Sequence, residues 1–198
     1  MRKLIAVASL CAVALLAGVA QAQQIDAAVG ISAVKGPSTT SASGNFFPQT
    51  VGGGVFPTVN GDFLFWKKYI GVGAEFSWRA TQNSYYGQIP FRPIFWDINA
   101  VAAPKLGKKA ALDAQAGIGA ESARFYTGTV TCSFAGCTNY TSTSHLLVHL
   151  GGGVRVYVHH NIFVEPSIHY YHIRNNVEFS GPWAMRAGIS VGYTFRAE

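Results

Sequence analysis

The chain has 198 residues, of which 49% are hydrophobic and 12% charged, with a formal net charge of +6. That length suits one domain, and so few charges among so many apolar residues exclude a disordered, highly solvated chain. No run of Lys and Arg with interleaved aromatics is present, which excludes the footprint of a nucleic-acid binder.

The chain opens Met1-Arg2-Lys3, continues with an apolar run from Leu4 to Ala17, and then reads Ala20-Gln21-Ala22. A basic start, a short apolar core and an A-x-A site predict a secretory signal peptide, residues 1–22, cut after Ala22. The apolar run is shorter than the roughly 20 residues a retained spanning helix needs. Cys11 lies within that run and not at its boundary, so no lipid anchor is expected. Loss of the leader removes Arg2 and Lys3 and leaves 13 Lys and Arg against 9 Asp and Glu. It also leaves two cysteines, Cys132 and Cys137, and in an exported protein so close a pair predicts a local disulfide. Zinc would require further ligands that no other cysteine supplies.

Residues 23–198 read as strands. Ile25, Ala27, Val29, Ile31 and Ala33 alternate with Asp26, Ala28, Gly30 and Ser32, the two-residue period of a strand with one apolar face. A loop rich in Ser, Thr and Gly, Lys35–Val51, precedes a second strand with Val59, Gly61, Phe63 and Phe65 opposite Asn60, Asp62 and Leu64. Trp66-Lys67-Lys68-Tyr69 admits only a tight turn. The third strand sets Ile70, Val72, Ala74, Phe76 and Trp78 against Glu75, Ser77 and Arg79, and a polar loop, Ala80–Ile89, follows. The fourth sets Ile94, Trp96, Ile98, Ala100 and Ala102 against Phe95, Asp97, Asn99 and Val101. After the Pro104–Lys109 turn, Leu112, Ala114, Ala116, Ile118 and Ala120 oppose Asp113, Gln115, Gly117, Gly119 and Glu121. Phe125–His145 reads as the longest loop and holds the cysteines. Strand six places Leu146, Val148, Leu150, Val154 and Val156 against His149, Gly151, Gly153, Arg155 and Tyr157. Beyond the His159-His160-Asn161 turn, Ile162, Val164, Pro166, Ile168 and Tyr170 oppose Phe163, Glu165, Ser167, His169 and Tyr171. A loop from Arg174 to Trp183 leads to the last strand, Arg186–Phe195, with Ala187, Ile189, Val191, Tyr193 and Phe195 on its apolar face.

Eight strands of about ten residues, joined by alternating long and short connections, predict an all-β, eight-stranded antiparallel up-and-down transmembrane β-barrel. In lipid no backbone group can go unpaired, so the first and last strands must meet. A secreted lipocalin-like binding barrel would point its apolar face inward. The small and pairable residues of the polar face suit a crowded interior instead, and Phe65, Trp78, Tyr170, Tyr193 and Phe195 lie where interface girdles belong. Pro166 falls within a strand and predicts a bulge.

The whole of residues 23–198 resembles the small bacterial outer-membrane β-barrel proteins of the OmpA-type and opacity-type superfamily. Ser190-Val191-Gly192-Tyr193-Thr194-Phe195 is similar to their C-terminal assembly signal, with Gly192, Tyr193 and Phe195 as its marked positions, although Arg196-Ala197-Glu198 follow the last aromatic. The resemblance implies a monomer in the cell outer membrane, folded by the barrel-assembly machinery. It would sit among outer-membrane lipid and lipopolysaccharide, with long external loops available to a surface ligand.

The inward face carries Asp26, Asp62, Glu75, Asp97, Asp113, Glu121 and Glu165 against Arg79, Arg155 and Arg186. Buried carboxylates and arginines persist by pairing, so an interior polar network is expected. Inward glycines and the surplus of acids allow at most a narrow, porin-like conduit favouring cations. Tyr171-His172-Ile173-Arg174-Asn175-Asn176 resembles the His-x-Ser-Asn stretch of outer-membrane lipid A deacylases, but Arg174 stands where that family has its serine nucleophile. A base without a nucleophile cannot transfer an acyl group, so no catalytic residue is assigned. His149 and His169 share the inward face, with Glu165 as a third ligand at most, and neither cofactor nor metal is expected.

Overall fold

The computed structural model describes residues 23–37, 50–85, 87–107, 109–133 and 136–196. The leader assigned to residues 1–22 and most of the first long loop lie outside the described residues. The strands are β1 (Gln24–Lys35), β2 (Val55–Trp66), β3 (Ile70–Trp78), β4 (Asn83–Tyr85), β5 (Ile89–Ala102), β6 (Ala110–Ser133), β7 (Gly136–His159), β8 (Ile162–Ile173) and β9 (Trp183–Arg196).

All pairings are antiparallel, and eight strands close a ring in the order β1-β2-β3-β5-β6-β7-β8-β9. The ring is sealed where β1 meets β9, from Gln24 opposite Arg196 to Lys35 opposite Met185. Closure removes both sheet edges, the requirement for backbone in hydrocarbon. Both ends of the barrel chain therefore lie at the rim of the short turns. There, Tyr69 N–H donates to the Trp66 carbonyl (2.8 Å) across Lys67 and Lys68, whose φ values of 51° and 60° make the two-residue hairpin turn suited to twisted strands.

The polarity of the two faces decides the environment. Val29 is 61% exposed, Ile98 59% and Ile118 62%, while Asp113, Arg155 and Glu165 on the opposite face are at most 2% exposed. A lipocalin-like barrel would show the reverse, so that alternative is overturned. An outer surface this apolar needs lipid around it.

Three details differ from the expectations. The segment Phe125–His145 is not a loop: β6 and β7 run on as a hairpin beyond the ring, with Cys132 opposite Cys137 at its tip. Threonines 127, 129, 138 and 141 favour extended backbone, but all four are exposed to solvent and the segment shows no apolar alternation. The short strand β4 pairs with β5 outside the ring, within the segment read as the Ala80–Ile89 loop. Pro166 causes no bulge: the register is the same at Gly153–Ser167 and at Val156–Val164, and the ladder loses only the pairs between. An outward proline (Pro166 is exposed) lacks a donor without displacing its neighbours.

Candidate functional site

The lumen is filled in three layers. Nearest the short turns, Arg155 on β7 is surrounded by four carboxylates. Its Nη1 donates to Asp26, its Nη2 to Asp62 and to Asp113 (2.8 Å), and its Nε to Glu165 (2.8 Å). These acids come from β1, β2, β6 and β8, so one guanidinium ties together strands from around the ring. Five fixed N–H donors make arginine the side chain able to do this. Gln24 and Gln115 extend the layer, donating to Asp26 and to Asp113 (2.6 Å).

The middle layer is a second polar cluster. Both terminal nitrogens of Arg186 reach Glu75, which also accepts from the Tyr171 hydroxyl (3.1 Å). Beside them His169 Nδ1 and His149 Nε2 are 2.8 Å apart, and His149 Nδ1 lies 2.7 Å from Asn99 Oδ1. Asn99 in turn donates to Asp97. The two histidines thus face each other, with Asn99 as the next partner. Glu165 belongs to the Arg155 layer, and no group of three metal-binding side chains forms among the described residues.

Toward the long loops the interior turns apolar. Phe56, Phe91, Phe95, Leu147, Tyr171 and Ile173 are essentially inaccessible, and Tyr85 and Phe179 fold in from the segments at the mouth. Phe91 and Phe125 stack at 6.0 Å, and the Tyr85 hydroxyl donates to the Glu178 carbonyl (2.9 Å). This plug escaped the sequence reading because its members come from many strands. Its one local signal is loss of alternation, as in Ile94-Phe95-Trp96 and Leu146-Leu147-Val148.

Inward glycines do not leave open space. A Cβ on Gly73 would stand 2.2 Å from Asp62 Oδ1, one on Gly151 2.3 Å from His169 Nδ1, and one on Gly192 2.2 Å from the Phe163 ring. Each glycine is a recess for a large neighbour. A cavity of about 10 Å³, lined by Ser32, Glu75, Glu165, His169 and Arg186 among others, has room for about one water.

Two inward charges do not take the partners expected of them. Arg79, at the external end of β3, is 8% exposed and packs against Gly54, with no hydrogen-bond partner at Nε or Nη1. Burial holds its guanidinium below its ordinary pKa. Glu121 is wholly buried, and neither carboxyl oxygen has a hydrogen-bond partner. The three arginines are unequally used: Arg155 serves four acids, Arg186 serves one, and Arg79 serves no carboxylate among the described residues.

Outside the plug, the rim carries Lys35, Arg92, Arg124 and Arg174, with Arg79 buried beneath it. The one acid in the external segments is Glu178, whose Oε2 lies 2.7 Å from His145 Nε2. Above the rim stands the β6–β7 hairpin, closed by the Cys132–Cys137 disulfide across a Cα separation of 3.9 Å. His172 faces outward on β8 between Val148 and Trp183, with Arg174 exposed beyond it. On β9, Gly192 faces inward beneath the Phe163 ring, while Tyr193 and Phe195 are exposed on the outer face with their rings 4.7 Å apart.

Known proteins agree with this architecture. A search of curated proteins found no match. Among solved structures, the attachment invasion locus protein Ail of Yersinia pestis, in complex with the heparin analogue sucrose octasulfate, is similar with a TM-score of 0.54. It shares 17% identity over 87% of this chain and 99% of that one. Neisserial surface protein A gives a TM-score of 0.56 at 9% identity, over 89% of this chain and 97% of its own. A major outer membrane protein from Thermus thermophilus gives 0.51 at 10% identity, over 86% and 99%. At such identities these likenesses speak for the fold. The family model described as "Outer membrane protein beta-barrel domain" matches residues 4–195, nearly the whole chain. With its closed ring, apolar exterior and charged interior, the chain belongs to the outer membrane β-barrel family, and its place is the cell outer membrane.

Proposed function

We propose that this protein works at the cell surface, its lumen serving stability and its external rim and hairpin binding a polyanionic surface ligand. The observation that carries the reading is the external charge of the described residues: four cations around the mouth against Glu178 alone, beneath a hairpin clasped by a disulfide. Such a one-signed rim attracts polyanions. Binding of a heparin analogue by Ail, a protein of similar fold, supports the ligand class. Proteoliposomes carrying the refolded chain should be retained on immobilised heparin at low salt and released as salt rises. Passage straight through the column would sink the reading.

The three filled layers support at most a narrow cation-favouring conduit, and planar-bilayer recordings with large or anion-selective currents would overturn that. No enzymatic role is proposed. His172 has arginine, not serine, two residues on, and release of 3-hydroxy fatty acid from lipopolysaccharide by the refolded protein would refute this. We read residues 1–22 as a cleaved leader, on the basic start, apolar run and A-x-A site of that segment. Gly192, Tyr193 and Phe195 are read as the address for the barrel-assembly machinery. The working unit is a monomer among outer-membrane lipid and lipopolysaccharide.

A further inference from the structure

The outward face of β5 and β6 carries two arginines directly opposite one another. Phe91 and Phe125 are cross-strand partners stacked inside the barrel, and the partners Pro93 and Ala123 are buried. Side chains alternate along a strand, so the pair between them, Arg92 and Arg124, faces outward. Going up this face, β5 presents Ile98, Trp96 and Ile94 before Arg92. Strand β6 presents Ile118, Ala120 and Ser122 before Arg124, and β7 presents Leu146 before Ser144 and Ser142. Each outward step is about 7 Å. The arginines therefore stand one step past Ile94, and past the Ser122–Ser144 hydroxyl pair (2.8 Å), beyond the external end of the apolar band, the side on which outer-leaflet headgroups lie.

Like charges placed opposite each other on a sheet destabilise it unless an anion lies between them. No carboxylate of the described residues supplies that anion: the seven strand acids point inward, and Glu178 is engaged with His145. Arg92 Nε is buried without a hydrogen-bond partner. The Arg124 guanidinium rests 4.9 Å from the Tyr140 ring centre, which holds it against the sheet. Two planar forks on rigid adjacent strands suit the oxygens of a phosphate.

We propose that Arg92 and Arg124 form a binding site for a phosphate group borne by a glycolipid of the outer leaflet. The inference rests on the outer-membrane placement and draws on two of the rim's cations, while lipid A and heparin are separate probes, so either reading can fail alone. Replacing Gly128–Thr138 by a short turn leaves both arginines and Tyr140 in place, so hairpin and lipid site fail separately. The test measures binding of the refolded mature chain, in neutral detergent, to three probes. They are phosphorylated lipid A, the same lipid A after phosphatase treatment, and inorganic phosphate. The wild-type chain should prefer phosphorylated over dephosphorylated lipid A by roughly tenfold or more. Arg92→Gln/Arg124→Gln should abolish that preference, whereas a charge-matched control at the short-turn end, Lys105→Gln/Lys109→Gln, should keep it. Inorganic phosphate should not displace the lipid. Equal binding of the two lipid A forms by the wild type overturns the proposal, and this arm needs no variant to fold. An undiminished preference in a double variant that still shows heat-modifiable gel migration overturns it as well. Displacement by inorganic phosphate would assign the site to the free anion and refute the lipid.

Discussion

Replacing Arg155 by Gln tests whether the lumen is a structural network. The change keeps much of the side chain's bulk but removes the charge from among Asp26, Asp62, Asp113 and Glu165, all at most 5% exposed. Breaking one buried ion pair typically costs about 3–5 kcal/mol, because the surviving charge stays desolvated. Four acids share this arginine and their losses do not add. The expected destabilisation is therefore at least about 4 kcal/mol, a large part of a typical folding free energy of about 5–15 kcal/mol. Urea titration of the protein folded into lipid vesicles, followed by tryptophan fluorescence and by the mobility of unheated samples on gels, measures it. Adding Asp62→Asn and Asp113→Asn to the same chain should recover much of the loss, since fewer charges are then stranded. A loss below about 1 kcal/mol, the value of a solvent-exposed pair, would refute the reasoning.

Other changes probe the remaining layers. Glu121→Gln removes a buried acid with no hydrogen-bond partner and should stabilise the barrel by about 1–3 kcal/mol in the same titration. Gly192→Ala drives a methyl into the Phe163 ring and should cost about 1–3 kcal/mol, read as a lowered urea midpoint. Cys132→Ser/Cys137→Ser frees a very short loop at the hairpin tip, worth about 2 kcal/mol of local order by the chain-entropy estimate. Protease should then nick the hairpin faster while the barrel's urea midpoint stays put. Truncating the plug with Phe91→Ala/Phe95→Ala/Phe179→Ala should raise single-channel conductance in planar bilayers above a very small wild-type value, with preference for cations over the inward acids. Unchanged current would mean that the polar layers alone close the lumen.

The sequence by itself determined which face of each ring strand is apolar, because alternation is a local property that needs only neighbouring residues. Closure of β1 on β9 followed from it once lipid was taken as the solvent. The disulfide was legible too, since two cysteines five residues apart in an exported chain have few alternatives. What only the tertiary structure decided is which inward charges meet. Asp26 and Arg155 are 129 residues apart in the chain and Glu75 and Arg186 are 111, and no local pattern couples them. Strand stagger around the ring places Arg155 among four acids and leaves Glu121 without a hydrogen-bond partner. The plug is equally nonlocal, built by Phe179 and Tyr85 from outside the ring as well as by ring residues. The hairpin was hidden for a different reason: beyond the membrane both its faces meet water, so the two-residue rhythm that marks the ring strands has nothing to select it.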